Sequence, residues 1–339
     1  KCNPDSRIVA ALRDGGGGIG RSDVGFDAAS VKEISGCLRE GRGGERVIFA
    51  NPQKNPRAIE YALKAGVDVM TFDSVQEADK IARVARSGGR KVAVVARILV
   101  PDHGSKVRLG EKFGADPVTA EGLHEHVKVR HGDVLEFIGV SFHVGSGVRD
   151  MERYKEAIEI ARGVVRRVNE GGGDCWLVDI GGGFPGWGGG GIGIEDIAKC
   201  IEGSVREMKE EGIEIIAEPG RFFVEGAFAV VCKIFSVRVT REGEREYFIA
   251  QGVEGVFKDV ILCDEVFIPV PLREEGEDKF FLKGETAPCT IRGPAGEGDI
   301  VAKCNLPKLE GGDWLVFERM GAYTMSIAKA GSNFETIYV

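Results

Sequence analysis

The sequence predicts a (β/α)8 barrel followed by a smaller, mainly antiparallel β domain. From residue 45 to residue 218, short runs of β-branched residues alternate with longer segments whose apolar residues recur at helical spacing. Such alternation is typical of parallel strands that are joined by helices and buried on both faces. After residue 225 helical segments become rare, and strand-like runs are separated by charged or glycine-rich turns. We therefore expect a barrel domain over residues 1–225 and a β domain over residues 226–339.

The elements are predicted in chain order from these two patterns. Short runs rich in Val, Ile and Phe indicate barrel strands at 46–50, 67–72, 91–100, 135–143, 176–180 and 213–218. Apolar residues at helical spacing indicate helices at 56–65, 75–86, 119–128, 151–169 and 194–209. In the β domain, strands are expected at 227–239, 245–250, 280–282, 300–303 and 314–317.

A doubly wound open sheet would give the same alternation of strands and helices. The residues that can carry chemistry, however, follow several different predicted strands. In a closed barrel those strand ends meet at one mouth, where barrel enzymes place their active sites. The distribution of these residues therefore favours the barrel.

Composition and charge limit the classes of function. The chain has 339 residues, a formal net charge of −8 and a pI near 5.4, which argues against proteins that coat nucleic acids or bind anionic membranes. Its eight cysteines are scattered without a C-x-x-C pair or a zinc-type cluster, so reduced thiols and no metal site are expected. No run approaches the roughly 20 apolar residues of a membrane span. We expect a cytoplasmic protein without membrane or nucleic-acid partners.

Three short motifs follow predicted strands and combine groups that suit a phosphorylated cofactor. They occupy residues 142–147, 179–186 and 218–221. Glycines without side chains let backbone N–H groups close on a phosphate. A glycine run alone is more often a simple turn, but here it accompanies a second donor-rich turn. The glycines in question are Gly181, Gly182 and Gly183.

The polar residues of these motifs point to pyridoxal phosphate. Ser146 and Arg221 add hydroxyl and guanidinium donors for a phosphate. Glu218 can hold the proton of a pyridinium ring, and His143 can stack on that ring. Lys1 offers an amine that can form an imine. Each of these residues alone could have a purely structural role. Their occurrence together at successive strand ends favours a pyridoxal phosphate site.

Motifs along essentially the whole chain resemble the eukaryotic-type ornithine decarboxylases. These belong to the barrel-type pyridoxal-phosphate decarboxylases that act on ornithine, lysine, arginine or diaminopimelate. Besides the three motifs above, the resemblance rests on the segments KCN at 1–3, FDAAS at 26–30, ANP at 50–52, TFDS at 71–74, RL at 108–109, KFGA at 112–115, GDW at 312–314 and MGAYT at 320–324.

The resemblance implies roles on the cofactor side. Lys1 would be the Schiff-base lysine, and the sequence would then begin inside the first barrel strand and leave that strand incomplete. His143 would stack on the ring, and Glu218 would pair with the ring nitrogen. Asp27 and Arg108 would flank the site. The phosphate would be held by Ser146, Gly183, Gly220, Arg221 and Tyr323.

The resemblance also implies a substrate and an assembly. Asp264 and Glu297 would receive the distal amine of a basic amino acid. The implied reaction is decarboxylation, with L-ornithine giving putrescine and CO₂ in polyamine biosynthesis as the favoured case. The implied assembly is a homodimer with active sites between subunits.

Two departures from the family pattern favour an alternative. The family has a cysteine in a Gly-Pro-x-Cys-acid segment, and the corresponding residue here is Gly296. At a second position, where the family has an aromatic residue, this chain has Glu254. Cys289 is not expected to replace the missing cysteine and is expected to be an ordinary buried cysteine. The alternative is a catalytically impaired relative resembling the antizyme inhibitors, which act by binding a regulatory protein. A racemase or cofactor carrier is a third reading, which the segments at 312–314 and 320–324 disfavour.

Overall fold

The structure is a computed structural model that describes residues 1–15, 24–41, 43–186, 191–275, 278–328 and 335–339. By their internal contacts these residues divide into two compact units. The first consists of Lys1 and Asn3–Phe222, and the second of Cys2 and Phe223–Val339. No helix of the described residues is both long enough and apolar enough to cross a membrane.

The first unit is built on a parallel sheet. Its strands are β1 (Phe26–Ala28), β2 (Val47–Phe49), β3 (Val69–Phe72), β4 (Val92–Arg97), β6 (Leu135–Ser141), β8 (Leu177–Asp179) and β9 (Glu214–Ile216). They lie side by side in chain order, β1-β2-β3-β4-β6-β8-β9. In a doubly wound sheet the spatial order of the strands reverses part-way across the sheet, whereas here it follows the chain order throughout. The predicted barrel-type fold is therefore confirmed. Two further strands, β5 (Ser105–Val107) and β7 (Ser146–Val148), form a separate antiparallel pair.

One helix precedes the first of these strands and the others follow strands, and several begin at caps encoded in the sequence. They are α1 (Ser6–Arg13), α2 (Val31–Arg39), α3 (Pro56–Lys64), α4 (Val75–Gly88), α5 (Pro117–His131), α6 (Glu152–Glu170), α7 (Ile194–Glu210) and α8 (Gly220–Val224). The side chain of Ser74 accepts the Glu77 N–H at the start of α4, and Asp116 accepts two N–H groups at the start of α5. Gly89 ends α4 with φ of 62°, a conformation that favours glycine.

The core of the first unit lies between the sheet and its helices. Phe49, Met70 and Val94 on neighbouring strands are at most 1% exposed and belong to one cluster with Ile59 and Ile81 of the helices. Burying a side chain of this size contributes roughly 1.5–3 kcal/mol. This packing holds the strands, and therefore the residues at their carboxyl ends, in fixed positions.

The second unit is a mixed but mainly antiparallel sheet, as predicted. Its elements are β10 (Val230–Val239), β11 (Arg245–Ile249), α9 (Asp259–Cys263), β12 (Val270–Glu275), β13 (Asp278–Phe281), β14 (Ala287–Arg292), β15 (Ile300–Leu306) and β16 (Trp314–Phe317). The strand order is β13-β12-β16-β10-β11-β14-β15, and only the β11–β14 pair is parallel among these pairings. Tyr247, Phe257 and Phe317 fill its core.

Five strands were not predicted, namely β1, β5, β7, β12 and β14. β1, β5 and β7 have three residues each, which is too short for a periodic signal. β12 and β14 contain Pro271 and Pro288, and a proline within a run argues against a strand because it cannot donate to the ladder. Pro271 still contributes an acceptor to the sheet, because its carbonyl accepts the Leu282 N–H at 2.9 Å.

Candidate active site

Charged side chains gather at the carboxyl ends of the parallel strands. Arg97 is the last residue of β4, Asp179 is the last residue of β8, and Glu218 follows β9 by two residues. Asp27 lies within the short strand β1. The carboxyl ends of parallel barrel strands open on the same face, so these groups act on one another electrostatically.

Backbone pairing continues past the strands and places the three motifs side by side. The N–H of Phe142 donates to the carbonyl of Asp179 at 3.0 Å, and that of Ile180 donates to Ile216 at 2.9 Å. One step further, the N–H of Glu218 donates to the carbonyl of Gly181 at 2.7 Å. The motifs that the sequence singled out therefore form one continuous edge.

Lys1 and Asp27 form an ion pair at this edge. The Nζ of Lys1 contacts Oδ2 of Asp27, whose side chain is only 14% exposed. The other oxygen, Oδ1, is buried and has no hydrogen-bond partner among the described residues. The same holds for Oγ of Ser141 at the end of β6, which is 4% exposed. Buried polar atoms without partners are costly, so both are suited to contact a bound group.

Two carboxylates of the site retain protons more readily than usual. Asp179 is 1% exposed, and burial raises its pKa to about 6 although the N–H of Gly181 donates to it at 2.8 Å. Burial, followed by the charges of Asp27 and Asp179, raises the pKa of Glu218 well above its usual range. A carboxylate in this environment either holds a proton or pairs with a proton-bearing cation.

Arg97 is the site residue that sequence reasoning missed. Burial lowers the pKa of its guanidinium, while the charges of Glu218, Asp179 and Asp27 act in the opposite direction. An arginine remains protonated in such a place, so Arg97 offsets part of the repulsion among the carboxylates. The available signal was a charged residue closing the apolar run of β4.

His143 is held as a neutral ring. Its Nδ1 accepts the N–H of Gly145 at 3.0 Å, so the ring proton lies on Nε2. Burial, with the charges of Arg97 and Lys1, lowers the pKa of His143 to about 3. A Cβ added at Gly182 would lie 3.0 Å from Nε2, which shows how closely the ring lies against the glycine turn.

The glycine turn requires glycine. Gly181 and Gly183 have φ of +65° and +94°, and a Cβ on Gly183 would lie 2.2 Å from the carbonyl oxygen of Gly145. The hydroxyl of Tyr154, on α6, donates to the carbonyl of Gly182 at 3.0 Å. The turn therefore packs against the His143 segment and is held by a hydrogen bond from α6.

The other predicted cofactor residues occupy varied positions. Ser146 begins β7, and the N–H of Gly220, at the start of α8, donates to the carbonyl of Glu218 at 2.8 Å. Arg221 follows within α8. Arg108 is exposed, and its guanidinium donates to the carbonyl of His103 at 3.5 Å, so the structure places it outside the buried group of charges.

The remaining predicted residues belong to the second unit. Tyr323 has a positive φ of 53°, and its N–H donates to the carbonyl of Cys2 at 3.1 Å. Asp264 is exposed and ends α9 in the left-handed conformation. Glu297 is also exposed, and its carbonyl accepts from Arg292 at 2.9 Å.

The loop that carries Gly296 is organised by Asp299. Its buried carboxylate accepts the N–H of Val253 and the N–H of Ala295, each at 2.8 Å. Gly296 itself is exposed, and a Cβ added there meets nothing within 4 Å. The loop can therefore carry a larger residue than glycine at this position.

Cys289 lies elsewhere, inside the sheet. It is 3% exposed on β14, directly opposite Cys304 on β15, and the two sulfurs are 3.8 Å apart. The hydrogen bond with Cys304 and burial raise the pKa of the Cys289 thiol. As predicted, it is a buried cysteine.

The family is decided by the match of residues 1–225 to the pyridoxal binding domain of the pyridoxal-dependent decarboxylases. The chain belongs to the pyridoxal-dependent decarboxylases. This decarboxylase is 37% identical over 354 residues to ornithine decarboxylase of Mus musculus, covering 99% of this chain and 72% of the relative. It is 36% identical over 349 residues to antizyme inhibitor 2 of Xenopus laevis, covering 98% and 72%. The solved arginine decarboxylase of Paramecium bursaria Chlorella virus superimposes with a TM-score of 0.85 at 32% identity, covering 97% of this chain and 84% of that one.

The residues at the strand ends of this decarboxylase fit pyridoxal phosphate. Two buried polar atoms, Oδ1 of Asp27 and Oγ of Ser141, have no partner among the described residues. A lysine amine, a neutral imidazole and a proton-holding carboxylate share the same edge with a glycine turn. This donor set matches an aldehyde, an aromatic ring with a basic nitrogen, and a phosphate.

Proposed function

We propose that this protein decarboxylates L-ornithine to putrescine and CO₂ with pyridoxal phosphate as cofactor. The proposal rests on the ion pair of Lys1 with Asp27 near Glu218, whose pKa is raised. It also rests on the 37% identity to an ornithine decarboxylase over 99% of this chain. When bound, the cofactor supplies an aldehyde carbon that joins the substrate amine and a ring that accepts the electron pair left by CO₂.

Four residues would position the cofactor and its protons. Lys1 would provide the amine that holds the aldehyde, and Asp27 keeps that amine in place by pairing with its ammonium. Glu218 pairs with the ring nitrogen and keeps its proton, which the elevated pKa of this carboxyl favours. His143, neutral at physiological pH, would contact the ring of the bound cofactor.

The phosphate is proposed to be held by backbone and side-chain donors, those of the glycine turn among them. Gly181 and Gly183 provide a backbone that side chains would obstruct. Arg221 adds a charge-assisted donor. The complete proposed set is Ser146, Gly181, Gly182, Gly183, Gly220, Arg221 and Tyr323, with Arg108 at the margin.

Asp264 and Glu297 are proposed to receive the distal ammonium of the substrate. Both are exposed carboxylates of the second unit, and opposite charge favours a cationic amine. We further propose a homodimer with active sites between subunits and a cytoplasmic location. We propose ornithine rather than arginine or lysine as the substrate because the chain is similar to ornithine decarboxylases.

A second candidate is a relative that has lost turnover and binds a regulatory protein. It is favoured by Gly296, which lacks the family's thiol, and by the similarity to antizyme inhibitor 2. In this case the protein would bind an antizyme-like regulator without producing an amine.

One assay distinguishes the two candidates. The protein loaded with pyridoxal phosphate is incubated separately with L-ornithine, L-lysine and L-arginine, and CO₂ and amine are quantified. Equal yields of CO₂ and putrescine from ornithine are expected. Cofactor binding without CO₂ from any of the three amino acids would refute the decarboxylase proposal and favour the regulatory one.

A further inference from the structure

A second cluster of ligand-type side chains lies on the helices, outside the strand-end site. It consists of Asp79 on α4 and His126 and His131 on α5. One ligand atom from each residue lies within 4.8 Å of the other two, and no other such group of three occurs among the residues that the structure describes. We propose that this cluster binds a divalent transition-metal ion such as zinc.

The two imidazoles converge on a single oxygen. The Nε2 of His126 and the Nε2 of His131 each lie 2.7 Å from Oδ1 of Asp79. A carboxylate oxygen such as Oδ1 of Asp79 accepts hydrogen bonds from imidazole N–H groups. Both Nε2 atoms consequently carry protons that point at the same oxygen. A cation placed between them would replace these two protons and keep all three ligands.

The cluster can adopt zinc geometry with small movements. Zinc lies roughly 2.0–2.2 Å from nitrogen and carboxylate ligands, which sets tetrahedral ligand atoms about 3.4 Å apart. The Asp79 oxygen must withdraw slightly from its present 2.7 Å contacts. Asp79 is 47% exposed and His126 is 25% exposed, so both side chains have room to turn.

The ligand types select the ion. Imidazole suits zinc, copper, nickel and iron, whereas magnesium and calcium prefer oxygen ligands. Two imidazoles and one carboxylate leave a fourth position open to water, as at zinc sites with three protein ligands. Because the ligands come from two helices, a bound ion would link α4 to α5 and stabilise the folded chain by mass action.

Arg86 competes with the ion for His131. Its Nη2 lies 3.1 Å from Nδ1 of His131, and its guanidinium also pairs with Asp133 at 2.6 Å and 2.8 Å. Arginine only donates, so Nδ1 of His131 is an acceptor and the proton lies on Nε2. Metal binding at Nε2 moves that proton to Nδ1, and Arg86 must then withdraw. The guanidinium therefore sets the affinity of the site.

This cluster is not apparent from the sequence because its ligands are far apart in the chain. Asp79 precedes His126 by 47 residues and His131 by 52. The two histidines are five residues apart on α5, which is not the four-residue spacing of helical zinc motifs. The expectation that no metal site exists rested on such spacings.

Calorimetric zinc titration of chelator-treated protein tests the proposal. Wild type and the His103→Ala control, which removes an exposed histidine outside the cluster, are expected to bind zinc with equal affinity at this site. His126→Ala and Asp79→Asn are expected to weaken this binding by at least 10-fold. Asp79→Asn keeps the side-chain size, so it remains informative if His126→Ala unfolds. Equal zinc affinity in all four proteins, or no saturable binding in wild type, would overturn the proposal.

A further variant tests the role of Arg86, and a cobalt absorption spectrum distinguishes this site from the cysteine thiols. Arg86→Gln is expected to bind zinc several-fold more tightly, and weaker or unchanged binding would overturn the role given to Arg86. Cobalt absorption reports nitrogen and oxygen ligands without the intense thiolate band. A thiolate band that persists in His126→Ala would place the ion on cysteines and contradict the proposal. None of these readouts depends on decarboxylation.

Discussion

The Nζ of Lys1 pairs with Oδ2 of Asp27, while Oδ1 of the same carboxylate is buried without a hydrogen-bond partner among the described residues. One oxygen of Asp27 thus positions the amine and the other remains available to a ligand. This pair lies at the edge where β4, β6, β8 and β9 end, near Glu218, whose pKa is raised.

Asp27→Asn is expected to reduce kcat/KM for ornithine by roughly 10-fold or more, because the amide keeps the size but cannot hold the ammonium of Lys1. Steady-state putrescine formation provides the measurement. Asp14→Asn is the control, since Asp14 is an exposed residue paired with Arg13. Equal losses in the two variants would contradict the role of Asp27.

His143→Phe is expected to retain cofactor affinity far better than His143→Ala. The pKa of His143 is about 3, so the residue is uncharged at physiological pH and contributes a ring rather than a charge. Dissociation constants for pyridoxal phosphate, measured by equilibrium dialysis, give the comparison. If phenylalanine weakens binding as much as alanine does, the ring contact is not what His143 supplies.

Asp179 is expected to stabilise the cofactor-free protein less as pH rises from about 4 to about 6. The pKa of Asp179 is about 6 when folded and 3.8 when unfolded, so at this residue the folded state binds more protons in this window. Its contribution to the unfolding free energy therefore decreases with pH, by an amount on the order of 3 kcal/mol at most, while the lowered pKa of His143 acts in the opposite direction. Asp179→Asn removes only the first contribution, so the unfolding free energy of wild type minus that of the variant, measured by urea unfolding at each pH, should decrease as pH rises. A difference that does not change with pH would contradict the assignment.

Gly296→Cys is expected to raise putrescine formation, whereas Gly296→Ala is not. A side chain fits at this exposed loop position, and only the thiol can donate a proton to the product carbon. Cys289 cannot take this role because it is buried and its thiol pKa is raised. Equal activity of the cysteine and alanine variants would show that this position does not limit turnover.

Patterns local in sequence predicted most of the fold. The strands β4, β6 and β8 are buried on both sides and appear as apolar runs, and α4, α6 and α7 carry clear helical periodicity. β1, β5, β7, β12 and β14 were missed because their stability comes from neighbouring strands rather than from their own residues.

The same distinction applies to the candidate sites. His143, Glu218 and the glycine turn were predictable because each is part of a recognisable motif. Arg97 was not, because its role depends on three carboxylates from other strands. Asp79, His126 and His131 meet only when α4 and α5 pack together.

Borohydride reduction of the protein loaded with pyridoxal phosphate, followed by peptide mass mapping, tests the central claim most directly. Reduction fixes the cofactor to the amine that holds it. We predict the added mass on the peptide that contains Lys1, and its loss in Lys1→Ala. The main competitor is Lys54, a buried lysine whose pKa is lowered to about 8. Label on Lys54, or no covalent label in wild type, would contradict the assignment of Lys1 as the residue that holds the cofactor.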